Sequence, residues 1–287
     1  MTAEITPFFD PATFTWSYVV ADPATRACAI IDSVLDFDPA SGKLSSTSAE
    51  RLMQFIKDQG LTVDWLLETH VHADHLTASH YLQEKLGGRI GIGNQVGQVQ
   101  SAFGPVFNAG ADFRTDGSQF DSLFADGEEF SVGELQFRVM HTPGHTPACA
   151  TYLVDGNAFV GDTLFMPDYG TARTDFPGGD AGILYDSIQK ILSLPDDTVL
   201  YMCHDYLTGD RKDYLCKTSV AEEKHNIHLH GNDKAAFVHQ RQCKDKGLAA
   251  PRLLLPSIQV NMRAGELPAA ENNDKRYLRI PLRMALS

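Results

Sequence analysis

The sequence has no long hydrophobic run, no cluster of basic residues and no paired cysteine motif. No segment approaches the roughly 20 apolar residues that span a bilayer, so a membrane-spanning helix is not expected. The 37 acidic residues outnumber the 24 basic ones, and the formal net charge is −13. Without a basic tract to follow phosphates, neither nucleic acid nor an anionic membrane is expected as a partner. The N-terminus lacks the basic start and apolar stretch of a secretory signal, which favours a cytoplasmic protein.

The five cysteines are odd in number and never spaced as CxxC. Neither a disulfide framework nor a structural zinc knuckle is therefore expected, and the thiols should be reduced. What the chain does have is 287 residues, 43% of them hydrophobic, which is enough for a substantial core.

Short β-branched runs alternate with helical patterns along the chain. "TWSYVVAD" and "ACAIID" flank the turn-rich "PATR" and predict a hairpin. "STSAERLMQFIKDQG", "ADHLTASHYLQEKLGG" and "GILYDSIQKILSLP" predict helices, whereas the glycine-rich text from about residue 90 to 127 predicts a short strand and then a loop. This order predicts a single layered α/β domain over residues 1–287, with 207–287 as a C-terminal extension packed on it.

The stretch "LLETHVHADHLTASH" places four histidines and an aspartate directly after the predicted strand "VDWLLET". His70 and His72 are two residues apart, so both rings can face one side, and Asp74 and His75 follow at the start of a predicted helix. Zinc and non-haem iron favour imidazole and carboxylate ligands. Further candidates lie at predicted strand ends or tight turns, namely His145 in "HTPGHTPAC", Asp162 in "FVGDTLF" and His204 in "LYMCHDY".

An isolated histidine is more often a hydrogen-bonded core or surface residue than a metal ligand. The HxHxDH cluster differs, because burying three imidazoles and a carboxylate without a metal would leave several polar groups unsatisfied at once. The sequence therefore predicts a metal site there. The ordinary role is expected for the remaining histidines: His80, His141, His225, His228, His230 and His239.

The motifs "THVHADH", "HTPGHTP", "FVGDTLF" and "MCHDY" occur in the order typical of the metallo-β-lactamase superfamily, which the sequence resembles over about residues 12–210. The resemblance implies an αββα four-layer sandwich, with the metal site at one edge between two β-sheets. Two subfamilies compete. One resembles glyoxalase II, a hydrolase in which two metals share all the candidate ligands, and the other resembles the persulfide dioxygenases of the ethylmalonic encephalopathy protein family, which hold one Fe(II).

The resemblance to the dioxygenases implies that the iron takes His72, His145 and Asp162, a two-histidine, one-carboxylate set. The implied reaction oxidises glutathione persulfide, or a similar low-molecular-weight persulfide, with O₂ to sulfite and thiol. The other candidate ligands would surround this set or form a second metal site. They are His70, Asp74, His75 and His204.

Segments beside the ligands favour the dioxygenase. "YGTARTDFPGGDA" resembles that family's Arg-Thr-Asp-Phe segment, which implies that Arg173 binds a glutathione carboxylate or shapes the pocket through Asp175. Tyr206 could donate a hydrogen bond to substrate near the iron, and Cys149 is expected to be a small buried thiol. "LPSIQVNMRAGELP" resembles the family's Asn-Met-Arg segment and implies glutathione contacts from Asn261, Met262 and Arg263.

Three functions stay open at this point. The leading one is an Fe(II) persulfide dioxygenase with one iron per chain, whose partners are glutathione persulfide and O₂, with a homodimer as a candidate assembly. The second is a glyoxalase II-like thioesterase or lactonase that holds two zinc ions. The third is a non-catalytic sulfide or metal sensor that uses the same site.

Overall fold

The structure is a computed structural model that describes residues 2–209 and 211–282. The strands within these residues are β1 (Glu4–Asp10), β2 (Thr15–Ala21), β3 (Ala27–Ile31), β4 (Val34–Asp38), β5 (Lys43–Ser45), β6 (Thr62–Leu67), β7 (Leu76–Thr77), β8 (Arg89–Gly93), β9 (Ser122–Phe124), β10 (Glu129–Val132), β11 (Leu135–His141), β12 (Ala150–Val154), β13 (Asn157–Phe159), β14 (Val199–Tyr201) and β15 (Lys217–Ser219). The α-helices are α1 (Thr47–Asp58), α2 (Ser79–Leu86), α3 (Val96–Phe103), α4 (Ala181–Leu192), α5 (Val220–Glu223), α6 (Lys234–Asp245) and α7 (Leu254–Asn261).

Two six-stranded sheets form the centre of the fold. Their strand orders are β1-β2-β3-β6-β8-β9 and β10-β11-β12-β13-β14-β15, and a small third sheet has the order β5-β4-β7. β2 and β3 pair antiparallel, which confirms the predicted hairpin, while β3, β6, β8 and β9 run parallel. Parallel strands are buried on both faces, which explains the nearly continuous apolar text of β3 and of the second half of β6.

The layers follow from the alternation of side chains along each strand. On β3, Cys28 and Ile30 point into a core shared with α1, α2, α3 and α7, whereas Ala29 and Ile31 point into a second core between the two sheets. A third core lies between the second sheet and helices α4 and α6. The order helix, sheet, sheet, helix confirms the αββα sandwich.

Two helices escaped prediction. α3 lies inside the glycine-rich stretch that predicted a loop, and it is fixed by burying Val96 and Val99 in the core beside the first sheet. α7 covers part of the same sheet with Ile258 and Val260. Both form because tertiary packing overrides a weak local pattern.

Residues beyond 207 contribute to both outer layers. β15 joins the second sheet beside β14, α6 packs against α4, and α7 packs against β7. Among the helices that the structure describes, none combines the length and apolar character needed to cross a membrane.

Candidate metal centre

The predicted ligands reach one edge of the sandwich on four segments. The HxHxDH stretch follows β6, the turn with His145 follows β11, and His204 follows β14. Asp162 lies in a 3₁₀ turn, Gly161–Thr163, after β13. Each segment leaves the carboxyl end of its strand, where α/β folds place their sites.

Two glycines let these turns approach closely. Gly144 has φ +134°, and a Cβ there would lie 2.3 Å from the Cα of Leu184 on α4. Gly161 has φ +53°, and a Cβ there would lie 2.7 Å from the Oγ1 of Thr69. Only glycine tolerates both the positive φ and the contact, so the turns that aim His145 and Asp162 depend on it.

The loop with Asp74 and His75 is not helical, so the prediction that they begin a helix is wrong, and α2 begins at Ser79. Leu76–Thr77 pairs with β4 instead, and Asn261 holds the backbone on either side. Its Nδ2 donates to the carbonyl oxygens of His72 and His75, both at 2.8 Å. Its Oδ1 accepts from the backbone N–H of Thr77 at 2.8 Å.

The seven predicted ligands fall into two groups, and His70, His145 and Asp162 form the first. The Nε2 atoms of His70 and His145 lie 3.8 and 3.7 Å from Oδ2 of Asp162. All three residues are buried. The structure thus brings His145 and Asp162 together, and the ligand atom within this group belongs to His70 rather than to His72.

The second group contains His72, Asp74, His75 and His204. Nε2 of His204 lies 3.3 Å from Oδ2 of Asp74 and 3.5 Å from Oδ1 of Asp162. Asp162 therefore faces the first group with one carboxylate oxygen and the second group with the other.

The chemistry of the donors fits a bound metal. Five fully buried atoms at this edge have no hydrogen-bond partner in the described structure, namely His70 Nε2, His72 Nδ1, His75 Nε2, His204 Nε2 and Asp162 Oδ1. Buried polar atoms without partners cost roughly 1 to 3 kcal/mol each. These atoms are imidazole nitrogens and a carboxylate oxygen, which are the donors that zinc and iron bind. A cation shared among them would explain why so many lie together without partners.

Two buried carboxylates orient His72 from behind. Its Nε2 lies 3.0 Å from Oδ1 of Asp32 and 3.2 Å from Oε2 of Glu68. Asp32 is itself fixed by the backbone N–H and hydroxyl of Thr69, at 2.8 and 2.9 Å. A proton held on Nε2 by these carboxylates leaves Nδ1 free for a metal. Sequence reasoning missed both acids, although each comes directly after a buried strand.

His145 is oriented through its other nitrogen. Nδ1 lies 2.8 Å from the carbonyl oxygen of Arg173, and donation to this carbonyl leaves Nε2 facing Asp162. The ring edge of Phe176 packs against the imidazole, with the ring centroids 5.3 Å apart.

Helix α6 holds the segment on both sides of that carbonyl. Arg241 donates to the carbonyl oxygen of Thr171 at 2.9 Å, and Oδ2 of Asp245 accepts from the backbone N–H of Thr174 at 2.9 Å. Arg241 and Asp245 form an ion pair at 2.7 Å, and both are buried. Sequence reasoning missed the pair, although the i,i+4 spacing of Arg241 and Asp245 was a signal.

A cavity of about 720 Å³ opens onto Asp74, His145 and Asp162. Tyr206 lies on its wall, and its ring is 5.8 Å from that of His204. Burial, with the nearby carboxylates of Asp74 and Asp162, raises the pKa of Tyr206 well above its ordinary value, so the phenol stays protonated. Other aromatic residues complete this wall: Phe14, Phe165, Tyr169 and Phe176.

Arg173 also lines this cavity, whereas Asp175 is not among its lining residues. The guanidinium makes two hydrogen bonds to Asp175, at 2.6 and 2.7 Å, and a third to the carbonyl oxygen of Ala249 at 2.7 Å. The ion pair lowers the pKa of Asp175. The ion pair with Asp175 holds Arg173 at the cavity wall, and its two predicted roles, binding a glutathione carboxylate or shaping the pocket through Asp175, stay predictions.

The structure corrects the predicted glutathione contacts of the Asn-Met-Arg segment. Asn261, Met262 and Arg263 do not line the cavity at the ligands. Asn261 is buried and bound to the HxHxDH loop, and Met262 is buried in the core. Arg263 lies over the ring of Phe113, 4.4 Å from its centroid. α7 turns this segment toward the first sheet, which the sequence pattern did not predict.

His80 and His228, both predicted to be ordinary core or surface histidines, differ in burial and in their position relative to the cavity. His80 is a surface residue of α2, with its Nε2 3.6 Å from Oε1 of Glu84. His228 is buried as a core histidine would be, yet it lines the cavity together with Lys244 on α6. Cys149 is buried as expected, and its Sγ lies 3.1 Å from the hydroxyl of Thr146. Burial raises the pKa of Cys149 to about 12.

Residues 10–204 match the Metallo-beta-lactamase superfamily. With the αββα sandwich and the convergent histidines and aspartates, this match shows that the chain belongs to this superfamily of metal-dependent enzymes.

Its relatives carry different names. The chain is 54% identical to a probable metallo-hydrolase of Burkholderia pseudomallei, over 96% of this chain and 97% of that protein. It is 45% identical to Glyoxylase B2 of Dictyostelium discoideum, over 98% of this chain and 97% of that protein. It is 34% identical to the human mitochondrial persulfide dioxygenase ETHE1, over 90% and 87%. The chain spans 65% of a longer relative, the Beta-lactamase hydrolase-like protein of Xylella fastidiosa.

Among solved structures, the fold is similar to that of ETHE1 from Myxococcus xanthus. The TM-score is 0.73 at 31% sequence identity, covering 92% of this chain and all of that one.

Proposed function

We propose that this protein is an Fe(II)-dependent persulfide dioxygenase that oxidises glutathione persulfide or a similar low-molecular-weight persulfide. In the balanced reaction, the persulfide, O₂ and water give the thiol and sulfite. The sulfur–sulfur bond breaks, the terminal sulfur is oxidised, and O₂ is the oxidant. The expected partners are therefore the persulfide and O₂.

The observation that carries this proposal is the group of two histidines and one carboxylate beside the cavity. His70, His145 and Asp162 offer two imidazoles and a carboxylate within reach of one another, and the cavity opens onto His145 and Asp162. Such a set suits mononuclear non-haem iron. When bound there, Fe(II) supplies the redox chemistry that joins O₂ to sulfur.

The chain's own residues would prepare the persulfide for this chemistry. The protonated phenol of Tyr206 can donate a hydrogen bond to an anionic sulfur, because its high pKa keeps the proton on the oxygen. Phe14, Phe165 and Tyr169 pack around Tyr206 on the wall next to His204. The similarity to human persulfide dioxygenase and to the ETHE1 structure supports the same reaction.

A second candidate is a binuclear thioesterase or lactonase, and a specific observation favours it. His72, Asp74, His75 and His204 offer a second group, which Asp162 joins to the first. The names of two relatives, the probable metallo-hydrolase and Glyoxylase B2, agree with hydrolysis. Two zinc ions in this arrangement would supply Lewis-acid chemistry against a thioester.

One preparation tests both candidates. Protein purified without oxygen is analysed for metals, and O₂ uptake is then recorded on the same sample with and without glutathione persulfide. The proposal expects about one iron per chain and O₂ uptake only with persulfide. Two zinc ions per chain, hydrolysis of S-D-lactoylglutathione and no O₂ uptake would replace it with the thioesterase.

A further inference from the structure

His228 lines the cavity, and its Nε2 lies at hydrogen-bond distance from Nζ of Lys244. The residue is 4% exposed, and its Nδ1 accepts from the backbone N–H of Thr171 at 2.9 Å. Because that nitrogen accepts, a neutral ring carries its proton on Nε2. Burial, and then the neighbouring Lys244 and Arg241, lower the pKa of His228 to about 4, so the ring is neutral near pH 7.

Lys244 points its ammonium at the same nitrogen. Its Nζ lies at hydrogen-bond distance from Nε2 of His228, although both atoms are donors once Nδ1 of the ring accepts. Within residues 2–209 and 211–282, no carboxylate forms an ion pair with this ammonium. The Nε2–H of His228 and the ammonium of Lys244 are thus two donors that face each other without an acceptor between them. Both residues line the cavity of the metal centre.

The other charged residues on the cavity wall do not supply that acceptor. Arg173 is paired with Asp175, Arg241 with Asp245, and Asp168 with Arg211. Asp74 and Asp162 face the metal-ligand groups. Lys244 and Arg252 remain as exposed cations on the cavity wall without an ion pair among the described residues, on a chain whose formal net charge is −13. A positive wall on a cavity of an otherwise acidic protein favours an anionic ligand, and Lys244 is the cation that lies beside His228.

We propose that the Nε2–H of His228 and the ammonium of Lys244 bind a carboxylate of the substrate's thiol carrier. This inference rests on the proposed function in one respect, that the carrier is glutathione or a similar small peptide. A cavity of about 720 Å³ is of the size that holds such a ligand. Asp162, His228 and Lys244 line this same cavity, and Thr171, whose N–H donates to His228, pairs with Leu164, two residues after Asp162.

Calorimetric titration of the metal-loaded chain with S-methylglutathione and with its dimethyl ester tests this site. The thioether cannot react, and the ester lacks the carboxylates. Lys244→Met should weaken binding of S-methylglutathione about tenfold and leave binding of the ester unchanged, as expected for a lost charge-assisted hydrogen bond. Lys244→Arg should restore most of the affinity. Lys246→Met, an exposed lysine that follows α6 and does not line the cavity, should have no effect.

Equal binding of acid and ester by the unmodified chain, or equal affinities of the unmodified chain and Lys244→Met, would overturn the carboxylate site. O₂ uptake with glutathione persulfide is measured separately on the same proteins. Charge-dependent binding without O₂ uptake would leave this site standing and remove the dioxygenase. O₂ uptake whose KM for glutathione persulfide is unaffected by Lys244→Met would support the dioxygenase and remove the carboxylate site.

Discussion

The imidazole Nδ1 of His145 lies 2.8 Å from the carbonyl oxygen of Arg173, and the segment bearing this carbonyl is held by the Arg241–Asp245 ion pair. A candidate metal ligand is thereby connected to a buried ion pair on α6 by three hydrogen bonds. The orientation of the ring depends on a helix that supplies no ligand.

Asp245→Asn should loosen His145 as well as destabilise the fold. Breaking one partner of a buried ion pair costs about 3 to 5 kcal/mol in free energy of unfolding, and loss of an outer hydrogen bond to a ligand weakens metal binding by about tenfold or more. Denaturant unfolding measures the first effect, and iron titration with the spectrum of the Co(II)-substituted protein measures the second. Lys234→Met, which removes the exposed pair with Asp186, is the control and should cost less than about 1 kcal/mol. Lost stability with unchanged metal affinity and spectrum would make the ion pair purely structural.

Alanine substitutions of the ligands should separate one metal site from two. We expect Asp162→Ala and His145→Ala to lose iron, because both residues belong to the group beside the cavity. His70→Ala should lose it too, because its Nε2 lies 3.8 Å from Oδ2 of Asp162 in the same group, whereas His72→Ala, in the second group, should retain measurable iron. His75→Ala should retain measurable iron. Metal analysis of anaerobic preparations gives the answer, and equal losses in all five variants would support a binuclear centre.

Asn261→Asp should disturb the HxHxDH loop although it adds no bulk. The new carboxylate oxygen would face the carbonyl oxygens of His72 and His75, to which the amide now donates. We expect a loss of about 3 kcal/mol in free energy of unfolding, together with a lower metal content. Asn273→Asp changes an exposed amide that donates to Tyr277 and should stay within about 0.5 kcal/mol. Full stability and full metal content in Asn261→Asp would contradict this role.

Stability should depend on pH through Glu223. Burial raises the pKa of this carboxyl from 4.5 to about 8, against the opposing hydrogen bond from Asn226. Between these values the folded chain keeps a proton that the unfolded chain releases, so this group makes stability fall as pH rises from about 5 to 8.

Glu223→Gln removes that titration and keeps an acceptor for Asn226. Its free energy of unfolding should exceed that of the unmodified chain by a margin that grows from pH 5 to 8 and then levels off, reaching on the order of 3 kcal/mol. Urea unfolding of the chelator-treated protein across this range measures the margin. The matched change Glu266→Gln, at an exposed position, should give a flat difference. A margin that shrinks with rising pH would reject the assignment.

The resemblance to the superfamily predicted the αββα architecture, whereas local signals marked the seven candidate ligands, which the structure brings to one edge. A strand that ends in HxHxDH, a PGHT turn and a GDT step each depend on neighbours within a few residues. The residues that support the ligands and line the cavity could not be predicted in this way, because their positions depend on contacts between distant parts of the chain. His228 meets Thr171 across 57 residues, and Asn261 meets His72 across 189, so no local spacing marks either contact. Asp32 was hidden for the same reason, since its partner His72 lies 40 residues away.

The ion pair that steadies His145 lies at residues 241 and 245, beyond residue 204, where the match to the superfamily ends. The ligands themselves lie within the matched residues, whereas the ion pair that fixes the orientation of His145 lies outside them. A substitution on α6 can therefore change the orientation of His145, and with it the affinity for a metal, without altering any candidate ligand.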